Sequence, residues 1–179
     1  IKSEYNRLNN QITLLYRKYM KGQMEFDKNK DFYPDANSTL RVAYGKVSGY
    51  RPADGIYYKP YSTLEGIIEK DNPQIYDYNI PQTLRDIHKN KDYGKWNING
   101  TVPVCFIANN HTSGGNSGSP VINGKGELIG INFDRVWEGT MSDIAFDPDM
   151  CRNICLDIRY VLFLIDKYAN AQWILKEIS

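Results

Sequence analysis

The sequence predicts a mainly β protein with flanking helices. Apolar residues recur at three- and four-residue steps over residues 3–20 and again over 159–178, the spacing of one helix face. Between these stretches lie short strand-like runs separated by Gly, Pro, Asn and Asp. A helix, a set of strands and a closing helix suit a small antiparallel β-barrel with a helical appendage at each end.

In the first helix the apolar stripe is Tyr5, Leu8, Ile12, Leu15 and Tyr19, and Gly22 is the expected stop. Tyr33-Pro34-Asp35 reads as a turn. Residues 39–44 read as a strand, 45–55 as a turn-rich connection, and Ile56-Tyr57-Tyr58 as a second short strand. Residues 62–69 form a short helix capped by Ser62 or Thr63. Residues 70–100, rich in Asn, Asp, Pro and Lys, read as loop with a little helix over 83–88. Residues 102–108 are an apolar strand. Pro120-Val121-Ile122, the turn Asn123-Gly124-Lys125-Gly126 and residues 127–133 make a hairpin. Residues 152–158 are another strand. The terminal helix over 159–178 places Val161, Leu162, Ile165, Tyr168, Ala169, Trp173 and Ile174 on one face.

The 179 residues make one ordinary domain or part of a larger one, and 41% hydrophobic with 24% charged residues can bury a core. A net charge of +1 gives no electrostatic reason to expect a nucleic-acid partner. The longest apolar run, residues 160–165, is far too short to span a bilayer. The chain opens at Ile1 without an initiator Met, so its start reads as truncated. Cys105, Cys151 and Cys155, with only two histidines, lack paired metal-ligand spacing, so neither a metal nor a cofactor is expected. Three Asn-x-Ser/Thr triplets, at Asn37, Asn99 and Asn110, read as chance matches.

Chemistry concentrates in Ser113-Gly114-Gly115-Asn116-Ser117-Gly118-Ser119-Pro120. A serine hydroxyl is a weak nucleophile until a base takes its proton, and the tetrahedral intermediate needs amide donors aimed at its oxyanion. Gly115 can adopt backbone angles that other residues avoid, so its N–H and that of Ser117 can converge on one point. Pro120 can start the next strand where no ladder donor is needed. A generic Gly-x-Ser-Gly is more often a plain loop. The full Gly-Asn-Ser-Gly-Ser-Pro, between an apolar strand and a hairpin, instead resembles the nucleophile motif of chymotrypsin-like serine peptidases. Such a nucleophile needs a His base and an orienting Asp. His111 lies six residues before Ser117 and reads as a loop residue near the site, and His88 as an exposed one. Neither is the favoured base, which is expected on an N-terminal barrel that this chain lacks.

Further segments carry a wider resemblance: Asp35-Ala36-Asn37-Ser38-Thr39-Leu40-Arg41, Tyr57-Tyr58-Lys59-Pro60-Tyr61, 114–121, 128–137 and 157–163. Together they resemble bacterial dipeptidyl-peptidases of serine peptidase family forty-six. That resemblance implies a chymotrypsin-like double barrel with an inserted helical domain, of which residues 1–30 would be the end. Residues 31–158 would be the second barrel, and 159–179 the C-terminal helix. It also implies an exported, periplasmic or surface-bound protein, a homodimer when complete, acting on peptides with a free N-terminus. Ser117 matches the nucleophile, and Gly115 with Ser117 the oxyanion-hole amides. Asp134 matches the acid that binds the substrate α-ammonium. Arg135 stands where the family divides by specificity, and Arg there goes with Asp or Glu before the cleaved bond.

The residues themselves fit that implication. Neighbouring strand side chains point to opposite sides, so Asp134 and Arg135 need not neutralise each other. A guanidinium meets a carboxylate with two parallel hydrogen bonds, and a neutral substrate that left it unpaired would lose roughly 2–5 kcal/mol. The pair could equally be a solvated turn. Met141-Ser142-Asp143-Ile144 reads either as the opposite pocket wall or as an ordinary loop, and Asp35 and Arg41 read as structural. His111 stands where the family is expected to carry an acid or a small polar residue. Alternatives to the dipeptidyl-peptidase are a glutamate-specific serine endopeptidase and a peptide-binding pseudoenzyme.

Overall fold

The computed structural model describes residues 2–30, 32 and 38–178. They fall into two compact units, residues 1–35 and residues 36–179. The expected turn at Tyr33-Pro34-Asp35, the role of Asp35 and the triplet at Asn37 lie outside the described residues.

The first unit is one helix, α1 (Lys2–Phe26), none of whose side chains is buried. It runs past Gly22, which therefore does not stop it. A single interior glycine costs a helix only about 1 kcal/mol, and nothing crowds it here. Asp27 ends the run instead, its carboxylate accepting the Asn29 N–H at 3.1 Å.

The second unit is built on one antiparallel sheet of β1 (Tyr61–Thr63), β2 (Pro103–Ala108), β3 (Pro120–Ile122), β4 (Leu128–Arg135) and β5 (Asn153–Asp157). The spatial order is β1-β2-β5-β4-β3. With α1 and the later helices, the chain is mixed α and β rather than mainly β. Residues 39–44 are not a strand. Leu40, Val42 and Tyr44 are each more than three-quarters exposed, so their alternation has no buried face to serve. Side chains hold this segment: Asn109 Oδ1 accepts the Lys46 N–H, and Asn110 Nδ2 donates to the Ala43 carbonyl. Residues 56–58 contribute only an isolated bridge, Tyr50 to Tyr58, and the strand begins at Tyr61.

Half of the core cluster comes from the polar stretch over 70–100, where the little helix expected over 83–88 is present and extends over Gln82–Asn90. Ile80, Leu84, Ile87 and Tyr93 pack with Leu64, Val102, Val104 and Phe163. Two short helices, α2 (Leu64–Glu69) and α3 (Gln82–Asn90), supply three of these, Leu64, Leu84 and Ile87, and Thr63 occupies the α2 N-cap position. Asp71 clips the intervening loop by accepting two hydrogen bonds from Arg85, at 2.6 and 2.9 Å, and the Ile80 N–H at 3.2 Å. His88, at the end of α3, is half-buried beside Glu65 rather than exposed.

The C-terminal helix is broken. It runs as α4 (Ile158–Phe163), a π-helical turn over Leu164–Tyr168, and α5 (Gln172–Glu177). Asn170 in the left-handed conformation, φ 50°, interrupts the ladder.

The β3–β4 hairpin turns at 123–126, with Gly126 at φ 83°. β4 carries a bulge. Asn132 faces Cys155, Asp134 faces Ile154 and Arg135 faces Asn153, leaving Phe133 as the extra residue. A bulge re-aims the side chains that follow it, and here those are Asp134 and Arg135.

Candidate active site

The loop before β3 is a self-closed clip. The Ser113 N–H donates to Asn116 Oδ1 at 3.0 Å, and the Asn116 N–H returns a bond to the Ser113 carbonyl at 3.2 Å. Gly115 at φ 95° and Gly118 at φ 82° make the reversals that a Cβ would strain. Gly118 N–H then donates to the Asn132 carbonyl at 2.8 Å, and the Asn132 N–H to the Ser119 carbonyl at 2.9 Å. The loop is thereby laced to β4.

This lacing uses some amides and leaves others. The N–H groups of Asn116, Gly118 and Ser119 all have acceptors. Those of Gly115 and Ser117 have none among the described residues. These two N–H groups are the expected oxyanion donors. Ser117 is exposed, and its Oγ donates to the Phe133 carbonyl at 3.3 Å, on the bulge of β4.

Behind the loop lies a buried polar cluster that sequence reasoning missed. Asn132 is 6% exposed, and its Nδ2 donates to the Asn116 carbonyl at 3.2 Å. Its Oδ1 accepts from Asn153 Nδ2 at 2.8 Å. Asn153 Nδ2 also reaches Cys155 Sγ at 3.1 Å. Burial pushes the Cys155 thiol up to about 12. The available signal was Asn132 itself, a polar residue within the apolar alternation of Leu128-Ile129-Gly130-Ile131. All three cysteines are free thiols.

At the end of β4 the two adjacent charges part company. Asp134 is exposed, and its Oδ1 accepts the Arg135 N–H at 2.8 Å. The Arg135 guanidinium turns instead to the 3-10 turns over Trp137–Asp143. Its Nη1 donates to Ser142 Oγ at 2.6 Å and Asp143 Oδ1 at 2.9 Å, and its Nη2 to Asp143 Oδ2 at 2.8 Å. Arg135 holds the Asp143 carboxyl below its usual range, with a smaller contribution in the same direction from His111. Asp143 in turn raises Arg135. Both hydrogens of Nη1 and one of Nη2 are thus engaged. The Nε–H and the remaining Nη2 hydrogen form a second, side-on fork with no acceptor among the described residues.

Ser142 and Asp143 therefore sit against Arg135, within the segment 141–144 read from sequence as a wall or a loop. His111 supports the same segment: its Nε2 lies 3.1 Å from the Ser142 carbonyl, and its ring stacks on Phe146 at 4.4 Å. Neither it nor His88 meets the Ser117 hydroxyl. Arg41 is not remote from the nucleophile, as its sequence distance suggested. Its Nη1 donates to Ser113 Oγ at 3.1 Å and its Nη2 to the Gly114 carbonyl at 3.4 Å.

The sequence profile of the Peptidase S46 family matches residues 1–179. An Asp/Glu-specific dipeptidyl-peptidase of Flavobacterium psychrophilum is 55% identical across 100% of this chain and 25% of its own length. One of Capnocytophaga gingivalis is 56% identical, covering 98% of this chain and 25% of its own length. The crystal structure of Porphyromonas endodontalis DPP11 in complex with the dipeptide Arg-Asp superposes with a TM-score of 0.84 at 46% identity, over 91% of this chain and 24% of that one. The chain thus spans about a quarter of the length of these relatives. By the full-length profile match and these identities, the chain belongs to the S46 peptidase family.

Proposed function

We propose that this chain is the nucleophile-bearing part of a serine dipeptidyl-peptidase that releases N-terminal dipeptides ending in Asp or Glu. The observation that carries the reading is a pair of N–H groups, of Gly115 and Ser117, that meet no acceptor among the described residues, at an exposed serine on a loop laced to β4. Ser117 Oγ adds to the scissile carbonyl, and its proton passes to an imidazole. The carbonyl π pair moves onto oxygen, facing the two N–H groups. Collapse returns the pair and expels the amine, which takes the proton, and water then releases the dipeptide from Ser117.

The imidazole and its orienting Asp belong to an N-terminal chymotrypsin-like barrel outside this chain. Residues 1–30 are the end of a helical domain, 31–158 the second barrel and 159–179 its C-terminal appendage. Without its partner barrel the segment is inert. The complete protein is a homodimer exported to the periplasm or the cell surface. Arg135 presents its side-on fork to the substrate's acidic side chain, and Asp134 receives the α-ammonium. The named specificity of the relatives, Asp/Glu, agrees with this assignment.

The test uses the complete polypeptide that carries residues 1–179, with unblocked dipeptide reporters ending in Asp, Glu, Leu or Lys, each beside an acetylated control. Turnover confined to unblocked Asp and Glu reporters is expected. Cleavage of acetylated Glu identifies a glutamate-specific endopeptidase, and silence on every reporter identifies a peptide-binding protein.

A further inference from the structure

The Gly115 and Ser117 N–H groups, which meet no acceptor among the described residues, each belong to a peptide plane whose other end is held by a side chain. In a trans peptide the carbonyl and the N–H point in opposite directions, and no cis peptide occurs among the described residues. The Ser117 N–H shares its plane with the Asn116 carbonyl, which accepts from Asn132 Nδ2 at 3.2 Å and from the Ser119 N–H at 3.0 Å. The Gly115 N–H shares its plane with the Gly114 carbonyl, which accepts from Arg41 Nη2 at 3.4 Å. Arg41 also holds the start of the loop through Ser113 Oγ at 3.1 Å.

We propose that Asn132 and Arg41 are positioning residues of the oxyanion hole, each gripping from behind the carbonyl of the peptide whose N–H faces the developing oxyanion. This inference rests on the reading of Ser117 as the nucleophile. Two effects follow from the grip. Orientation is fixed before reaction, so the donors need no reorganisation when charge appears on oxygen. Polarisation is added, because a carbonyl that accepts a hydrogen bond makes its own amide N–H a stronger donor. Arg41 further brings a positive charge to the rear of the Gly114–Gly115 peptide.

The two grips differ in construction. Asn132 is buried and tied at its other end to Asn153, which is 3% exposed, so it cannot swing away. Arg41 is half-buried, and its bond to Gly114 is the longer one. Loss of Asn132 is therefore expected to cost more than loss of Arg41. Both act through the loop backbone, so both are expected to act on kcat rather than on KM.

The experiment uses the complete polypeptide with Arg41→Met, Arg41→Lys and Asn132→Ala. It measures kcat and KM on an unblocked reporter ending in Asp, affinity for a dipeptidyl aldehyde ending in Asp, and affinity for the product dipeptide. The aldehyde adds Ser117 Oγ at its carbonyl carbon and becomes a tetrahedral hemiacetal, so it reads the oxyanion hole, whereas the product dipeptide reads the ground-state pocket. Removing one oxyanion donor outright costs about 100- to 1,000-fold. Removing its rear support is expected to cost less: about 10-fold in kcat for Arg41→Met and about 30-fold for Asn132→Ala. Aldehyde affinity should fall by the same factors, while KM and product affinity stay within about 2-fold. Arg41→Lys, which keeps a donor and the charge, should lie between Arg41→Met and the unaltered enzyme.

If aldehyde and product affinities fall together, or if kcat is unmoved in Arg41→Met, the assignment is wrong. Should Asn132→Ala fail to fold, the Arg41 pair still decides its own half, and Asn132→Asp decides the other, because it keeps the shape and removes the donor. An unaltered enzyme silent on unblocked reporters overturns the nucleophile reading itself. An active enzyme whose variants are all unchanged overturns only the present inference.

Discussion

Arg135 and Asp143 are joined by two parallel hydrogen bonds, at 2.9 and 2.8 Å, across the end of β4 and the turn that follows it. The candidate specificity residue is therefore not a bare cation. Its end-on fork is satisfied within the chain, and its side-on fork meets no acceptor among the described residues. A neutral substrate side chain would consequently leave less unpaired than the sequence alone suggested. The discrimination it suffers should fall at the lower end of the roughly 2–5 kcal/mol associated with an unpaired buried charge.

Replacing Arg135 tests this arrangement by sign. Arg135→Ala removes the two parallel hydrogen bonds and the positive charge that face Asp143, so the pocket should turn from acid-accepting to acid-repelling. Two charges about 6 Å apart interact by roughly 0.7–2.8 kcal/mol for an effective dielectric of 80 down to 20. Turnover of unblocked Asp reporters should collapse, and the Lys to Asp ratio should rise by about 3- to 100-fold beyond that loss. The double variant Arg135→Ala/Asp143→Ala should favour Leu. Retained preference for Asp in Arg135→Ala would remove Arg135 from the specificity role.

Acid stability carries the same pair. The folded Asp143 carboxyl titrates below its ordinary value of 3.8. A depressed folded pKa contributes stability that is complete above the unfolded value and is lost as pH falls through the folded one. Asp143 is half exposed, 52% of its side chain, so the contribution is about 0–1 kcal/mol. Asp143→Asn should be less stable by that amount at neutral pH and should converge with the unaltered protein below pH 3.8 in urea titrations. A deficit that persists unchanged at pH 2.5, an acidity of about 1.3 units below the carboxylate's ordinary value, would contradict the linkage.

Gly130 is a packing position. A Cβ there would come within 2.6 Å of the Leu156 carbonyl and 2.7 Å of Phe106 Cε1. Gly130→Ala should therefore destabilise the β4–β5 pairing by about 1–3 kcal/mol, read from the urea midpoint. Gly124→Ala, in the exposed turn where nothing lies within 4 Å, serves as the tolerant comparison.

Cys105 and Cys155 should be inert as nucleophiles in the native state. Burial raises both Cys105 and Cys155, the latter to about 12. A thiol of that pKa is only about one part in 10,000 thiolate at pH 8. Iodoacetamide at that pH should leave Cys105 and Cys155 unmodified by peptide mass mapping until denaturant is added, and rapid native alkylation of Cys155 would contradict its placement.

The hairpin, β2 and β5 were legible because their periodicity and turn residues agree with their burial. The tight loop around Ser117 was legible because its glycines mark reversals, and Gly115 and Gly118 do hold positive φ. Residues 39–44 misled because Leu40, Val42 and Tyr44 alternate like a half-buried strand while remaining exposed. Residues 70–100 were legible only in part: the little helix over 83–88 is there as α3, but the many polar residues hid that Ile80, Leu84, Ile87 and Tyr93 belong to the core. Arg41 and Asn132 were out of reach because each acts on the loop through a contact made by tertiary structure, across 72 and 16 residues respectively. The bulge at Phe133 was equally hidden, since nothing in Asn132-Phe133-Asp134 marks an extra residue.

The most direct test of the account is covalent. The complete polypeptide should be treated with a dipeptidyl phosphonate ester carrying a free amine and an acidic side chain beside the phosphorus, then digested and mass-mapped. The account predicts a single adduct on Ser117, formed more slowly by the acetylated reagent and abolished by Ser117→Ala. An adduct on another serine, or unimpaired peptidase activity in Ser117→Ala, would contradict it.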